Sequence, residues 1–340
     1  MHSVASPSAP SHHWPRRLIL GLLAFVLILS AGGAIYESIS EARDRRFNPM
    51  AGKLFDAGGY KMHIDCAGEG SPAVILESGL GDTYISWHKV QPQIAQFTRV
   101  CSYDRAGIGY SDSSSRPRTS KVIAEELHAL LRAAAIAPPY VLVGHSMGGY
   151  TVRLYASLYR NEVAGMVLVD ASHPDQENRF PPELKNMEGT WLREAEFLAY
   201  TTPFGIPRLM VLCDDEPTQR AAECNWHTAR EGVAELKAFP ESAAQTAATS
   251  SLGDMPIAVL SHDPDKPSSE LPPDVAKPTN DAWEKMQEEL SHLSTRGTHV
   301  IAKNSAHYIQ IDRPDVVIEA VRNVVEQARG AQPVSASKSN

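Results

Sequence analysis

Hydrophobic and polar positions divide the chain into unlike stretches. Residues 1–17 are polar, rich in Pro, Ser and His, and end in Arg16-Arg17, which reads as a disordered tail. Leu18 to Tyr36 then runs without a charge, and at a helical rise it would span about 28 Å, close to the thickness of a bilayer core. A run apolar on every face predicts an N-terminal membrane anchor. The competing reading is a cleaved signal peptide, with the small residues Gly32-Gly33-Ala34 near a cleavage point. Either reading puts the rest of the chain outside the cytosol, although Arg43, Arg45 and Arg46 blur the charge asymmetry that would set orientation. Residues 37–50 read as a charged linker.

From 51 to 330 the pattern becomes that of a folded domain. Short runs of strand character, 53–56, 60–66, 72–77 and 98–104, are separated by turns containing Gly58-Gly59 and Gly68-Glu69-Gly70. Apolar positions Val122, Ile123, Leu127, Leu130 and Leu131 predict a helix over 120–135, stopped by Pro138-Pro139. Buried strands follow at 140–143 and 164–170. The rhythm breaks over about 171–254, which reads as an inserted helical cap, and resumes with a strand at 257–261. A helix over 281–293, a strand at 298–302 and a last helix over 314–328 complete the domain; residues 331–340 read as a frayed tail. Strands alternating with helices predict a mostly parallel, doubly wound sheet covered on both faces.

One junction carries candidate chemistry. The strand Tyr140-Val-Leu-Val143 meets Gly144-His145-Ser146-Met147-Gly148-Gly149, and a helical pattern follows. A turn this tight holds its central residue in a strained backbone conformation, and a side chain at 144 or 148 would collide with neighbouring backbone, which glycine avoids. Such a turn lifts a serine hydroxyl clear of the sheet at the positive end of a helix, where the N–H of Met147 can face a developing oxyanion.

Composition narrows the possibilities. A net charge of -8 argues against a nucleic-acid surface, which needs clustered Lys and Arg. No His-Glu-x-x-His or Cys-x-x-Cys pattern is present, so no metal or other cofactor is expected. Oligomeric state leaves no signature.

Four motifs in order make the chain resemble the α/β-hydrolase superfamily over about residues 50–330. Glu77-Ser78-Gly79-Leu80-Gly81 stands where that family places its oxyanion loop, with Ser78 where many members have histidine. Asp104-Arg105-Ala106-Gly107-Ile108-Gly109-Tyr110-Ser111-Asp112 looks like its loop before the first long helix, and the Gly-x-Ser-x-Gly turn looks like its nucleophile elbow. Asn304-Ser-Ala-His307-Tyr308 follows the last strand, where the family keeps its histidine.

The resemblance implies acyl transfer by Ser146, with His307 as base and backbone N–H groups of Met147 and Leu80 as the oxyanion hole. His145, His173, His262 and His299 are second choices among 13 histidines. For the acid, Asp170 is preferred, because it ends the strand after the elbow helix, a position some branches use. Asp263 and Asp265, after the next strand, remain open alternatives. Serine in place of aspartate excludes the alkyl-enzyme ester chemistry of epoxide hydrolases and dehalogenases. The expected substrate is a small-molecule carboxylic ester, with amides, peptides, carbon–carbon bonds or a silent binding role as alternatives. Cys66 and Cys101 lie on strands that neighbour one another in the family's sheet, and Cys213 and Cys224 could close a loop in the cap, although four cysteines allow three connectivities. Trp191, Phe197, Tyr200 and Trp226 are expected either to line an acyl pocket or to pack in the cap's core.

Overall fold

The computed structural model describes residues 14–249, 251–266 and 271–330. The tail expected at 331–340 and most of that at 1–17 lie outside the described residues.

Eight strands build one sheet: β1 Lys53–Asp56, β2 Lys61–Ala67, β3 Ala73–Glu77, β4 Val100–Tyr103, β5 Tyr140–His145, β6 Val163–Val169, β7 Ile257–Ser261 and β8 Gly297–Ile301. Their order is β1-β2-β4-β3-β5-β6-β7-β8. The pairs β1–β2 and β2–β4 are antiparallel, and every pair from β4 to β8 is parallel. The centre explains the unbroken apolar runs, for all residues of β3, β4, β5 and β7 are buried.

Alternation along β5 distributes the core. Tyr140 and Leu142 face one layer, packed with Leu127, Leu130 and Leu131 of the helix Ser120–Ala133 and with Val152 and Tyr155 of Gly148–Leu158. Val141 and Val143 face the other, against Val317, Val321 and Val324 of Pro314–Gly330. The helix at 120 starts at the cap residue Thr119, whose side chain accepts from the Val122 N–H. Cys66 and Cys101 stand opposite one another on β2 and β4 and are bonded; Cys213 and Cys224 are bonded within the cap.

Three expectations are corrected. The stretch 37–50 is not a loose linker, because the N-terminal helix runs without interruption from Trp14 to Phe47 and packs on the cap. Glu37 and Asp44 pair there with Arg208, while Arg43 and Arg46 stay exposed. The helix expected at 281 begins at Pro273, because a proline in the first turn has no N–H to lose, and Pro278 is accommodated inside it. Trp191, Phe197 and Tyr200 do not fill the cap's core, since they are 39%, 55% and 73% exposed. Trp226 is half-buried and lies under the Arg230 guanidinium.

The cap occupies the connection between β6 and β7. Its main helices, Pro182–Thr201 and Trp226–Ala247, pack on each other, and the second also packs on the helices Ser120–Ala133 and Gly148–Leu158.

Candidate active site

Ser146 follows β5 immediately and has a φ of +52°, a conformation L-residues avoid. Its amide donates to Val169 O on β6 at 3.2 Å, and its carbonyl accepts from Gly149 and Ser172 N–H groups at 3.0 and 2.9 Å. The flanking glycines are sterically required. A Cβ on Gly144 would sit 2.7 Å from Gly148 O, and one on Gly148 would sit 2.7 Å from Ser78 O. Among the described residues, no hydrogen bond engages the Ser146 hydroxyl, which is partly open to solvent.

His307 and Asp170 meet across 137 residues of chain, with His307 Nδ1 2.6 Å from Asp170 Oδ2. Asp170 directly follows β6, has a φ of +43° and is fully buried. Its Oδ1 accepts from Trp283 Nε1 at 2.8 Å and from the His262 amide at 3.0 Å, and the His262 ring lies 2.9 Å from Oδ2. Burial works against ionisation there, but the His262 and His307 side chains outweigh it and hold the carboxyl well below the usual carboxylate range. His262 in turn is lowered by burial and raised by Asp170, with a net upward displacement.

The other two acids point elsewhere. Asp263 accepts from the Asn304 amide at 2.8 Å and from Lys303 Nζ at 2.9 Å, which brings it down to about 2. Asp265 accepts from the same lysine at 3.3 Å. Both brace the loop that carries His307 and do not meet its ring.

The remaining histidines separate cleanly. His145 turns its buried ring away from solvent, with Nε2 3.1 Å from His307 O and Nδ1 3.7 Å from Asp82 Oδ2; burial, opposed by Asp82, keeps it below the ordinary histidine value. It therefore ties the turn at Ser146 to the loop of His307. His299 lies between Ser261 and Glu288, and His173 is brought down to about 4, chiefly by burial.

Met147 and Leu80 share a small apolar cluster with Ile123, Tyr150, Phe239 and Ala243. Among the described residues, neither of their N–H groups has a backbone or side-chain acceptor. Ser78, standing where histidine was expected, donates to Thr83 O at 3.0 Å and accepts from Trp87 Nε1 at 3.1 Å, so it closes its own loop.

Sequence reasoning missed the group that holds this loop. Arg105, 1% exposed, donates to Glu77 Oε1 at 2.8 Å, to Ser78 O at 2.9 Å and to Gly79 O at 2.6 Å. On its other side it donates to both oxygens of Glu235, at 2.7 and 2.9 Å, and Glu235 also accepts from the Gly81 amide at 3.0 Å. Burial alone would discharge the arginine; the two carboxylates reverse that and keep it charged. The only signal was an arginine among the small residues of 104–111, with no hint of Glu235.

The doubly wound sheet that carries these residues is matched by comparison with known proteins. The family described as alpha/beta hydrolase fold matches residues 72–266. The chain belongs to the α/β-hydrolase family. It is 30% identical over 274 residues to the uncharacterized protein YqjL of Bacillus subtilis (strain 168), covering 80% of this chain and 91% of that one. Among solved structures, a putative lipase (lip1) from Acinetobacter baumannii AYE superposes with a TM-score of 0.62 at 19% identity, over 87% of this hydrolase and 97% of that chain. A thermophilic esterase from Thermogutta terrifontis gives 0.56 at 21% identity, over 81% and 98%. At these identities the two structures establish the fold of the hydrolase and nothing finer.

Proposed function

We propose that this hydrolase is a serine esterase, anchored in a membrane by residues 18–36, that cleaves a small-molecule carboxylic ester outside the cytosol. The observation that carries the reading is the strained Ser146 at the end of β5 together with the 2.6 Å contact between His307 and the buried Asp170.

His307 takes the proton of the Ser146 hydroxyl as Oγ attacks the ester carbonyl. Asp170 fixes the ring so that Nδ1–H points to it and Nε2 is left to act as base, and it stabilises the imidazolium that results. The free Ser146 hydroxyl can turn toward Nε2 when substrate arrives, a contact that often tightens only in the complex. The tetrahedral oxyanion is received by the unengaged N–H groups of Met147 and Leu80. Collapse breaks the ester C–O bond, and His307 returns its proton to the leaving alkoxide. Water, deprotonated by His307, then attacks the acyl-enzyme and releases the acid, with the proton returned to Ser146.

The test is hydrolysis of p-nitrophenyl esters of increasing chain length by the full chain in detergent, wild type beside Ser146→Ala. Turnover that disappears in the alanine variant supports the reading, and the chain-length trend sizes the acyl site. Absence of turnover in folded protein would overturn the ester assignment and direct the search to amides or carbon–carbon bonds.

A further inference from the structure

We propose that the cap of this protein rests on the bilayer, with an aromatic stripe, Phe197, Tyr200 and Phe204, seated in the headgroup region. The inference rests on the reading of residues 18–36 as an uncleaved membrane helix.

A helix joined to its domain by a flexible linker says nothing about how the domain faces the membrane. Here the helix does not end with its apolar run but continues to Phe47, and the extension is fixed to the cap. Glu37, 4% exposed, accepts from Arg208 Nε at 3.1 Å; Asp44 accepts from Arg208 Nη1 at 2.6 Å. Arg45 donates to Gly109 O at 3.2 Å and lies 5.3 Å from the Tyr110 ring centre. At Gly33 the two backbones touch, since a Cβ there would fall 2.4 Å from Phe204 O. The helix is mounted, so its direction through a bilayer dictates the attitude of the whole body.

Gly33 lies near the end of the uncharged run, about 5 Å of helical rise from Tyr36, which sets Phe204 at the level where hydrocarbon gives way to headgroups. Phe197, Tyr200 and Phe204 are spaced by three and four residues along the helix Pro182–Thr201 and the turn Thr202–Phe204 that continues it. That spacing puts them on one face. They are 55%, 73% and 40% exposed. Aromatic side chains in that setting are favoured at the membrane–water interface, where amphipathic rings collect. The contact of Phe204 with the mounted helix favours lipid over a protein partner.

The test uses the full chain in phosphatidylcholine nanodiscs. All four native cysteines are paired, so a cysteine introduced by Tyr200→Cys, Phe25→Cys or Lys277→Cys takes a single nitrobenzoxadiazole label. Lys277, its side chain 77% exposed on the helix Pro273–Ser291, reports bulk solvent. The expected result is a blue-shifted Tyr200 label that loses intensity with lipids nitroxide-labelled near the headgroup. The Phe25 label should be quenched by deep nitroxides, and the Lys277 label by neither. A Tyr200 label that behaves like Lys277 while Phe25 is quenched would overturn the seated cap and leave the anchor standing. A Phe25 label that no nitroxide reaches, or N-terminal sequencing that finds the segment removed, would overturn the anchor reading and the proposal with it. A Tyr200 label shielded in native membranes but not in lipid nanodiscs would assign the stripe to a protein partner and overturn it too.

Discussion

His262 and His307 share one carboxylate: their Nδ1 atoms lie 2.9 and 2.6 Å from the same oxygen of Asp170. A carboxylate buried in this way is held ionised by its neighbours and has little freedom to turn. Asp170→Asn would present an amide to His307 and favour the wrong ring tautomer, so kcat on a p-nitrophenyl ester should fall about 10³- to 10⁴-fold. Asp263→Asn and Asp265→Asn should retain most of the activity. Side-by-side kinetics of the three variants checks the assignment, and an equal loss in Asp263→Asn would reverse it.

Arg105 offers a test of stability. Removing it strands Glu77 and Glu235 as buried unpaired charges, so Arg105→Met should destabilise the protein by about 3–5 kcal/mol, read by denaturant unfolding. Glu235→Gln keeps an acceptor and should cost less stability. Because Glu235 also holds the Gly81 amide next to Leu80, that variant should lose kcat more than it raises KM. An unchanged kcat would separate the loop from catalysis.

Backbone crowding at the serine turn makes a third prediction. Gly148→Ala would drive a methyl to 2.7 Å from Ser78 O, and the loop carrying Leu80 would have to move. A stability loss of about 1–3 kcal/mol is expected, with a larger proportional loss of esterase turnover. A variant with wild-type melting temperature and wild-type turnover would show that the turn tolerates a side chain.

Glu223 sets a pH dependence of stability. Burial, aided by Asp82, pushes its carboxyl up to about 7 from an ordinary 4.5. Because the folded value is the higher one, its favourable contribution is complete below about pH 4.5 and disappears as pH rises through about 7. Glu223→Gln mimics the protonated form. Its melting temperature should match wild type near the acid end of that window and exceed it at about pH 8. Parallel melting curves across the whole range would mean that Glu223 titrates normally.

How much of this was legible beforehand depended on whether the constraint was local. The turn at Gly144–Gly149 could be read because steric crowding over a few residues dictates which residue types fit. The helix Ser120–Ala133 and the runs of β3 to β6 could be read because burial imposes their period. Asp170 was one of three acids, since the choice turns on where Trp283, His262 and His307 converge, and they come from distant elements. Glu235 could not be read, because it is one acidic residue in an amphipathic helix, 130 residues from the arginine it holds. The charged stretch after Tyr36 resembled a linker for the same reason: Glu37 and Asp44 find Arg208 only in the folded state.

If Ser146 is the nucleophile as proposed, the Arg105–Glu235 contact also restricts which part of the cap can move aside for substrate. Lifting the helix Trp226–Ala247 would tear a buried guanidinium from its second carboxylate and slacken the loop around Leu80 at the moment it is needed. That helix is therefore held fixed against the loop of Gly79 to Gly81. The other arm of the cap, Pro182–Thr201, is tied to that helix through Glu196 and Lys237. Among the described residues it has no buried ion pair to the loops around Ser146, so it is the arm with less to break when the cap moves.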